Sequence, residues 1–167
     1  MFKLLGVAAL VAAVTLAGAA PATAADADRP FRGVTAGVDA FGPPSCPGAS
    51  WQYHHLGVGQ MTHLGRVTVE VSHCTWLDPL GGPATFGPGT ITLTAADGDT
   101  LILADWGTAT LVITPDGPMS VVDLEWEVIG GTGRFANATG SGGGAPISLL
   151  HGDTGTTTAV YWGSIGY

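Results

Sequence analysis

Past residue 24, apolar and polar residues alternate with a period of two, which is the period of a β-strand that has one buried and one solvated face. The segment Met61–His73 shows this pattern clearly, with Val67, Val69 and Val71 on one face and threonine, glutamate and serine on the other. No apolar pattern with helical spacing continues for three turns without glycine, proline or a run of threonine and valine. The chain is therefore predicted to be all-β.

Turn residues separate the strands. Asp97-Gly98 lies between the alternating stretches around Ile91 and Leu101 and predicts a tight hairpin. Other strands are predicted near Phe31–Phe41, Trp51–Val58, Leu111–Ile113, Ser120–Ile129, Ile147–His151 and Thr156–Trp162. Short, evenly spaced strands of this kind, about eight in number, predict an antiparallel up-and-down β-barrel, with a β-sandwich as the alternative. The barrel is favoured because closure removes exposed sheet edges.

The first 24 residues have the organisation of a signal peptide. Lys3 precedes an apolar run from Leu4 to Ala19, and the segment ends with small residues at Ala22 and Ala24. An uncleaved anchor is the alternative, but the run is shorter than the ~20 residues that span a bilayer. The sequence therefore predicts a signal peptide over 1–24 and a secreted, single-domain product over 25–167.

The charge of the chain and the spacing of its glycines argue against nucleic acids, membranes and nucleotide cofactors as partners. Lys3 is the only lysine, so the predicted mature chain carries four arginines against 13 carboxylates, and such a surface repels phosphate backbones. We expect no nucleic-acid partner and no membrane insertion once the leader is removed. Gly131-x-Gly133-x-x-Ala136 matches a dinucleotide-binding pattern, but a glycine-rich stretch follows it where the pattern requires a helix. No cofactor is predicted.

Two cysteines, Cys46 and Cys74, are the only thiols in the chain. In an oxidising compartment an isolated even pair usually forms a disulfide, and this is our prediction. A buried free pair and a pair of metal ligands are the alternatives.

The segment Val128–Gly142 carries a family resemblance. Its glycine-rich corner resembles the one in barrels of the allene oxide cyclase and dirigent kind, including small secreted bacterial proteins of that type. The residues that match are Gly131, Gly133, Arg134, Phe135 and Gly140. The resemblance implies a calycin-like barrel of eight strands with an interior cavity, in which Phe135 plugs one end. No active-site residue of those families can be placed on this sequence.

Few residues of the chain are candidates for metal binding or catalysis. Five histidines, His54, His55, His63, His73 and His151, lack the spacing of metal ligands, so we predict no metal site and expect isolated surface or rim histidines. Asp105 shares its alternation with Leu101 and Leu103 and is a weak catalytic candidate. The favoured alternative is a strand end or bulge that returns its carboxylate to water. Glu125 and Glu127 are expected on a solvated face.

Aromatic residues suggest a binding role. Trp106, Trp126, His63 and Tyr161 are candidates for the lining of an interior cavity, although ordinary core packing is an alternative for Trp126. The leading hypothesis is a secreted barrel that binds a small hydrophobic molecule in its interior. A cyclase or isomerase of the allene oxide cyclase-like class is one alternative, and a structural or interaction protein of the cell envelope is another. The sequence itself assigns no reaction.

Overall fold

The computed structural model describes residues 28–167, and the predicted signal peptide lies outside this range. The described residues form eight strands and one short 3₁₀ turn, Gly133–Phe135. The strands are β1 (Arg29–Gly42), β2 (Trp51–Met61), β3 (Gly65–Trp76), β4 (Ala84–Ala95), β5 (Thr100–Thr114), β6 (Gly117–Gly131), β7 (Thr139–His151) and β8 (Thr154–Gly166). None of the described residues forms a helix long and apolar enough to cross a membrane.

Each strand pairs in antiparallel fashion with the next one along the chain, and β8 pairs with β1 to close the barrel. The predicted up-and-down barrel of eight strands is therefore confirmed, and the sandwich is excluded. Closure gives every described strand two neighbours, so no row of backbone groups is left at an open edge.

Two predicted strand boundaries were wrong. The alternating stretch from Met61 to His73 is broken by a turn at residues 62–64, where His63 has a φ of 68°. The alternation of apolar and polar residues continues across this turn only because the length of the turn happens to keep the same spacing. The short strand predicted at Leu111–Ile113 belongs to the long β5, which runs on from the predicted Asp97-Gly98 hairpin.

One end of the barrel interior, here called the closed end, is filled by large side chains. Its buried inner residues include Phe31, Met61, Val67, Val69, Leu93, Leu101, Leu103, Trp126 and Ile165. The rings of Phe31 and Trp126 meet edge to face with centroids 5.2 Å apart, and the indole N–H of Trp126 donates to the carbonyl of Gly143. The buried polar atom of Trp126 is thus satisfied, and this half of the barrel is a packed core.

The corner between β6 and β7 seals the closed end. Phe135 lies on the 3₁₀ turn, is fully buried and packs against Tyr167 with ring centroids 4.9 Å apart. Arg134 covers the Phe135 ring from outside and pairs with Asp97 at 3.1 Å. Phe135 therefore fills this end of the barrel.

Cys46 and Cys74 form a disulfide, as predicted. The bond joins the connection between β1 and β2 to the far end of β3, at the end of the barrel opposite Phe135. It therefore fixes a loop that has no strand pairing of its own.

We expect the double variant Cys46→Ser/Cys74→Ser to unfold more easily by about 3 to 4 kcal/mol, because opening a loop closed over 28 positions enlarges the unfolded ensemble. Urea denaturation with and without reductant measures this difference. The variant should be insensitive to reductant, whereas the parent protein should lose stability to the same level. An unchanged midpoint in the double variant would contradict the prediction.

Candidate functional site

The other half of the barrel encloses a cavity of about 270 Å³. It opens at the end, here called the mouth, where Trp51, Leu77, Leu111 and Leu150 surround the entrance. The connections that follow β1, β3, β5 and β7 lie at this end. The cavity is lined mostly by apolar and aromatic side chains, with a small number of polar groups among them.

Small inner residues explain why this half is hollow. Ala84, Ala109, Ser120, Ser148 and Ala159 face the cavity at positions equivalent to those that carry large side chains at the closed end. An eight-stranded barrel is just wide enough for side chains to fill it or for one small ligand to occupy it. Residue size along the strands decides between these outcomes, and here it leaves the mouth half open.

A first polar cluster surrounds Asp39 on the inner face of β1. One carboxylate oxygen accepts hydrogen bonds from Nδ1–H of His55 at 2.8 Å and from the Tyr53 hydroxyl at 2.9 Å. The other oxygen accepts from the Thr157 hydroxyl at 2.6 Å, and Ser148 in turn donates to Thr157 at 2.5 Å. Both Asp39 and His55 are buried, and the carboxylate is fully satisfied.

Two glycines make room for the His55 ring. Gly37 and Gly57 are cross-strand partners in β1 and β2, and a Cβ at position 57 would lie 2.7 Å from Nε2 of His55. The imidazole therefore lies against bare backbone. His55 also lines the cavity, but it is buried and its Nδ1 is bound to Asp39, so it belongs to this cluster.

A second polar pair, His73 and Asp105, faces the cavity. Nδ1 of His73 lies 2.7 Å from Oδ2 of Asp105, which is completely buried. The His73 ring is stacked between Tyr53 and Phe86, with centroid distances of 4.8 and 4.4 Å. The stack fixes the plane of the imidazole, and the carboxylate fixes its rotation within that plane.

The His73–Asp105 contact depends on Gly89. His73 is on β3 and Asp105 on β5, so β4 lies between them, and Gly89 of β4 pairs with Asp105. A Cβ at Gly89 would lie 2.5 Å from Oδ1 of Asp105 and would also collide with His73. Register shifts in β3 after Ser72 and in β4 after Phe86 accompany this arrangement. Such irregularities re-aim side chains next to functional sites.

Two polar atoms of the His73–Asp105 pair have no hydrogen-bond partner among the described residues. Oδ1 of Asp105 is buried without a hydrogen-bond partner. A carboxylate only accepts, so Nδ1 of His73 carries the hydrogen, and neutral imidazole then presents a lone pair on Nε2. Within residues 28–167 that nitrogen makes no hydrogen bond, and the His73 side chain is 12% exposed.

Two tyrosines at the cavity are held in their neutral form. Burial, reinforced by the charge of Asp105, raises the pKa of Tyr161 to about 12. Burial, together with the negative charge of Asp39, raises the pKa of Tyr53 far above its usual range. Both phenols are therefore hydrogen-bond donors at neutral pH.

The structure changes the interpretation of several candidates. The expectation that a bulge returns Asp105 to water was wrong, since Asp105 has no exposed surface. The expectation of surface or rim histidines holds for His54 and His151, which are exposed, but was wrong for His55 and His73, which lie inside the barrel.

The four residues that were predicted to line the cavity lie in different parts of the structure. Tyr161 lines the cavity. Trp126 belongs to the packed closed end, and His63 lies in the turn after β2, where Nε2 donates to the carbonyl of Pro30. Trp106 points outward and donates to the exposed Glu125 at 3.1 Å. Glu127 is exposed as well, as expected for a solvated face.

Sequence reasoning missed the Asp39 cluster. Asp39 has the same parity as Phe31, Thr35 and Phe41, so alternation alone placed it on the inner face. Tyr53 and His55 share a parity on β2 in the same way. The signal was present, but the parity of the polar residues in β1 and β2 was not used to predict a site.

Within residues 28–167 no group of three or more histidine, cysteine or acidic side chains could hold a metal ion. Comparison of the chain with protein-family models, curated proteins and solved structures finds no match. The resemblance to the allene oxide cyclase and dirigent barrels therefore stays a prediction, and the site is interpreted from its own geometry.

Replacing Gly89 tests the packing of the second pair. We expect Gly89→Ala to lower the free energy of unfolding by about 1 to 3 kcal/mol, because the added methyl group overlaps Asp105 and the backbone of Ser72. Gly42→Ala is the matched control, since a Cβ there meets no atom within 4 Å. Thermal and urea denaturation of both variants measure the difference. Equal losses in the two variants would refute this account of Gly89.

The buried phenol of Tyr161 predicts a loss of stability in alkali. The folded protein holds this proton more tightly than the unfolded chain, whose tyrosine pKa is 10.0, so its contribution is complete below pH 10 and is lost as the pH rises towards about 12. Two pH units correspond to about 3 kcal/mol. Urea denaturation across this range should show a steeper decline for the parent than for Tyr161→Phe. Parallel declines would contradict the prediction.

Proposed function

We propose that this protein binds one small, mostly apolar molecule in the mouth half of the barrel. The observation that carries the proposal is the cavity of about 270 Å³, which is open to solvent although the rest of the interior is tightly packed. Its size is nearly twice that of an engineered cavity of about 150 Å³ that binds benzene, so a guest of one or two rings fits.

The polar groups of the cavity favour a guest with a hydrogen-bonding substituent. Nε2 of His73 accepts and the neutral phenol of Tyr161 donates, while most of the surrounding surface is apolar. Apolar walls with a few placed polar groups are typical of small-molecule sites. A wholly hydrocarbon guest would leave these polar groups without partners, which costs free energy.

We also propose that binding takes place outside the cytoplasm. The Cys46–Cys74 disulfide supports this, because disulfides form and persist in oxidising compartments. The closed barrel and the corner at Gly131–Gly142 are compatible with the allene oxide cyclase-like and dirigent-like resemblance. The proposal does not depend on that resemblance, since it follows from the cavity.

Filling the cavity tests the proposal. We expect 2-naphthol, which has two rings and one hydroxyl, to bind the parent protein with 1:1 stoichiometry in isothermal titration calorimetry. Ala109→Trp should weaken binding at least about tenfold because the indole occupies the cavity. Thr110→Trp is the matched control, since the adjacent residue on β5 is exposed on the outer face.

Native mass spectrometry of the purified protein gives an independent measurement, since a resident guest would co-purify with the parent and with Thr110→Trp but not with Ala109→Trp. Equal affinity of 2-naphthol for the two tryptophan variants would place binding outside the barrel and overturn the proposal. Absence of both a resident guest and 2-naphthol binding would overturn it as well.

A further inference from the structure

The two buried imidazole–carboxylate pairs differ in exposure and in how completely they are satisfied. Both imidazoles line the cavity, but His55 is 3% exposed and lies against the Gly37–Gly57 backbone, and both oxygens of its partner Asp39 accept hydrogen bonds. The His73 side chain is 12% exposed, its Nε2 has no partner among the described residues, and one oxygen of Asp105 has none either. The His73–Asp105 pair is therefore both the more exposed and the less fully satisfied of the two.

The surroundings of His73 match the requirements of a base. A neighbouring carboxylate that accepts from Nδ1 keeps the lone pair on Nε2 and stabilises the imidazolium that forms when Nε2 takes a proton. The stack between Tyr53 and Phe86 holds the ring at a fixed angle to the cavity. Base catalysis depends on this kind of positioning.

We propose that His73 is a general base that moves a proton on a carbon atom of the bound molecule, with Asp105 as its positioning residue. The inference rests on the ligand binding proposed above and adds a reaction class to it. The substrate class is a small apolar ketone or enone, whose C–H bonds next to the carbonyl group are acidic enough for an imidazole to remove a proton.

The reaction needs no oxidant, reductant or cofactor. Nε2 of His73 takes the proton, the C–H electron pair becomes a carbon–carbon double bond, and the carbonyl π electrons move to oxygen to give an enolate. The imidazolium then returns a proton either to the same carbon or to a conjugated carbon, which shifts a double bond. Tyr161 lines the same cavity as a neutral phenol and is the candidate donor to the enolate oxygen.

Hydrogen exchange on 2-tetralone tests the inference. This bicyclic ketone fits the cavity size, and the loss of its C1 proton signal in D₂O is followed by NMR while calorimetry reports its binding. We expect the parent protein to exchange C1 protons at least about 100-fold faster than His73→Gln, with similar affinity for both. Glutamine keeps a polar side chain of comparable length but cannot accept the proton.

Further variants separate catalysis from structure. Asp105→Asn should slow exchange about tenfold with little change in affinity, and 2-naphthol binding reports whether each variant retains its cavity. His73→Ala should regain exchange when free imidazole is added, which a loss of packing alone would not permit. His54→Gln is the matched histidine control, because His54 is exposed on the outer face of β2, and it should keep the exchange rate of the bound ketone.

The pH profile gives a second reading. Exchange by the parent should depend on pH, because a general base accepts a proton only in its unprotonated form, whereas His73→Gln should show only the slow background. The other titratable groups that line the same cavity are Asp105, His55, Tyr53 and Tyr161, and Asp39 is hydrogen-bonded to two of them. The exchange rates of the Asp105→Asn and His55→Gln variants across the same pH range assign the profile to His73.

The outcomes are distinct. If 2-tetralone binds but exchanges equally with the parent and with His73→Gln, the base is disproved while the binding function stands. If neither 2-tetralone nor 2-naphthol binds, the proposed function fails and the inference fails with it. Loss of exchange in His73→Gln and His73→Ala, slower exchange in Asp105→Asn, intact binding in all three and rescue of His73→Ala by imidazole support it.

Discussion

The pairing of β1 with β8 is the constraint on which the rest of the structure depends. Once eight strands close, the width of the interior is fixed, and the size of the inward side chains determines how much of it is filled. Phe31 and Trp126 fill the closed end, while Ala109, Ser148 and Ala159 leave the mouth half hollow. One continuous sheet therefore encloses both a packed core and an open cavity.

Burying two carboxylates in such an interior has a substantial free-energy cost unless each is well paired. Asp39 meets this requirement with an imidazole and two hydroxyl groups, and it has no unpartnered oxygen. Asp105 meets it only in part, because a single imidazole serves one oxygen and the other has no partner. This incomplete satisfaction of Asp105 beside the cavity is the physical reason to propose a function for the His73–Asp105 pair and a structural role for the Asp39 cluster.

The fold was predictable because it follows from local rules. Alternation located the strands, Asp97-Gly98 located a hairpin, and two cysteines in a chain without other thiols indicated the disulfide. The candidate site was harder to predict from the sequence, because it depends on contacts between strands that are not neighbours along the chain. The His73–Asp105 pair spans β4 and exists only because Gly89 has no side chain, a condition that requires the register of three strands.

For the aromatic residues, parity was not applied in one case and was not sufficient in another. Trp106 was taken as a lining residue, yet it is adjacent to the inward Asp105 and so lies on the opposite face, bonded to Glu125. Trp126 faces the interior, but it lies in the packed closed end and not beside the cavity. The position of an inward residue along the barrel axis determines whether it packs in the closed end or lines the cavity. This position can be judged only when the ends of the strands are known.

Because Phe135 fills the closed end, the described part of the barrel leaves its cavity open only at the mouth. If a molecule binds there as proposed, it has to enter and leave by the same route, so release of one molecule must precede entry of the next. A long chain would insert one of its ends and could not pass through. The interior is therefore a blind pocket and not a through-channel.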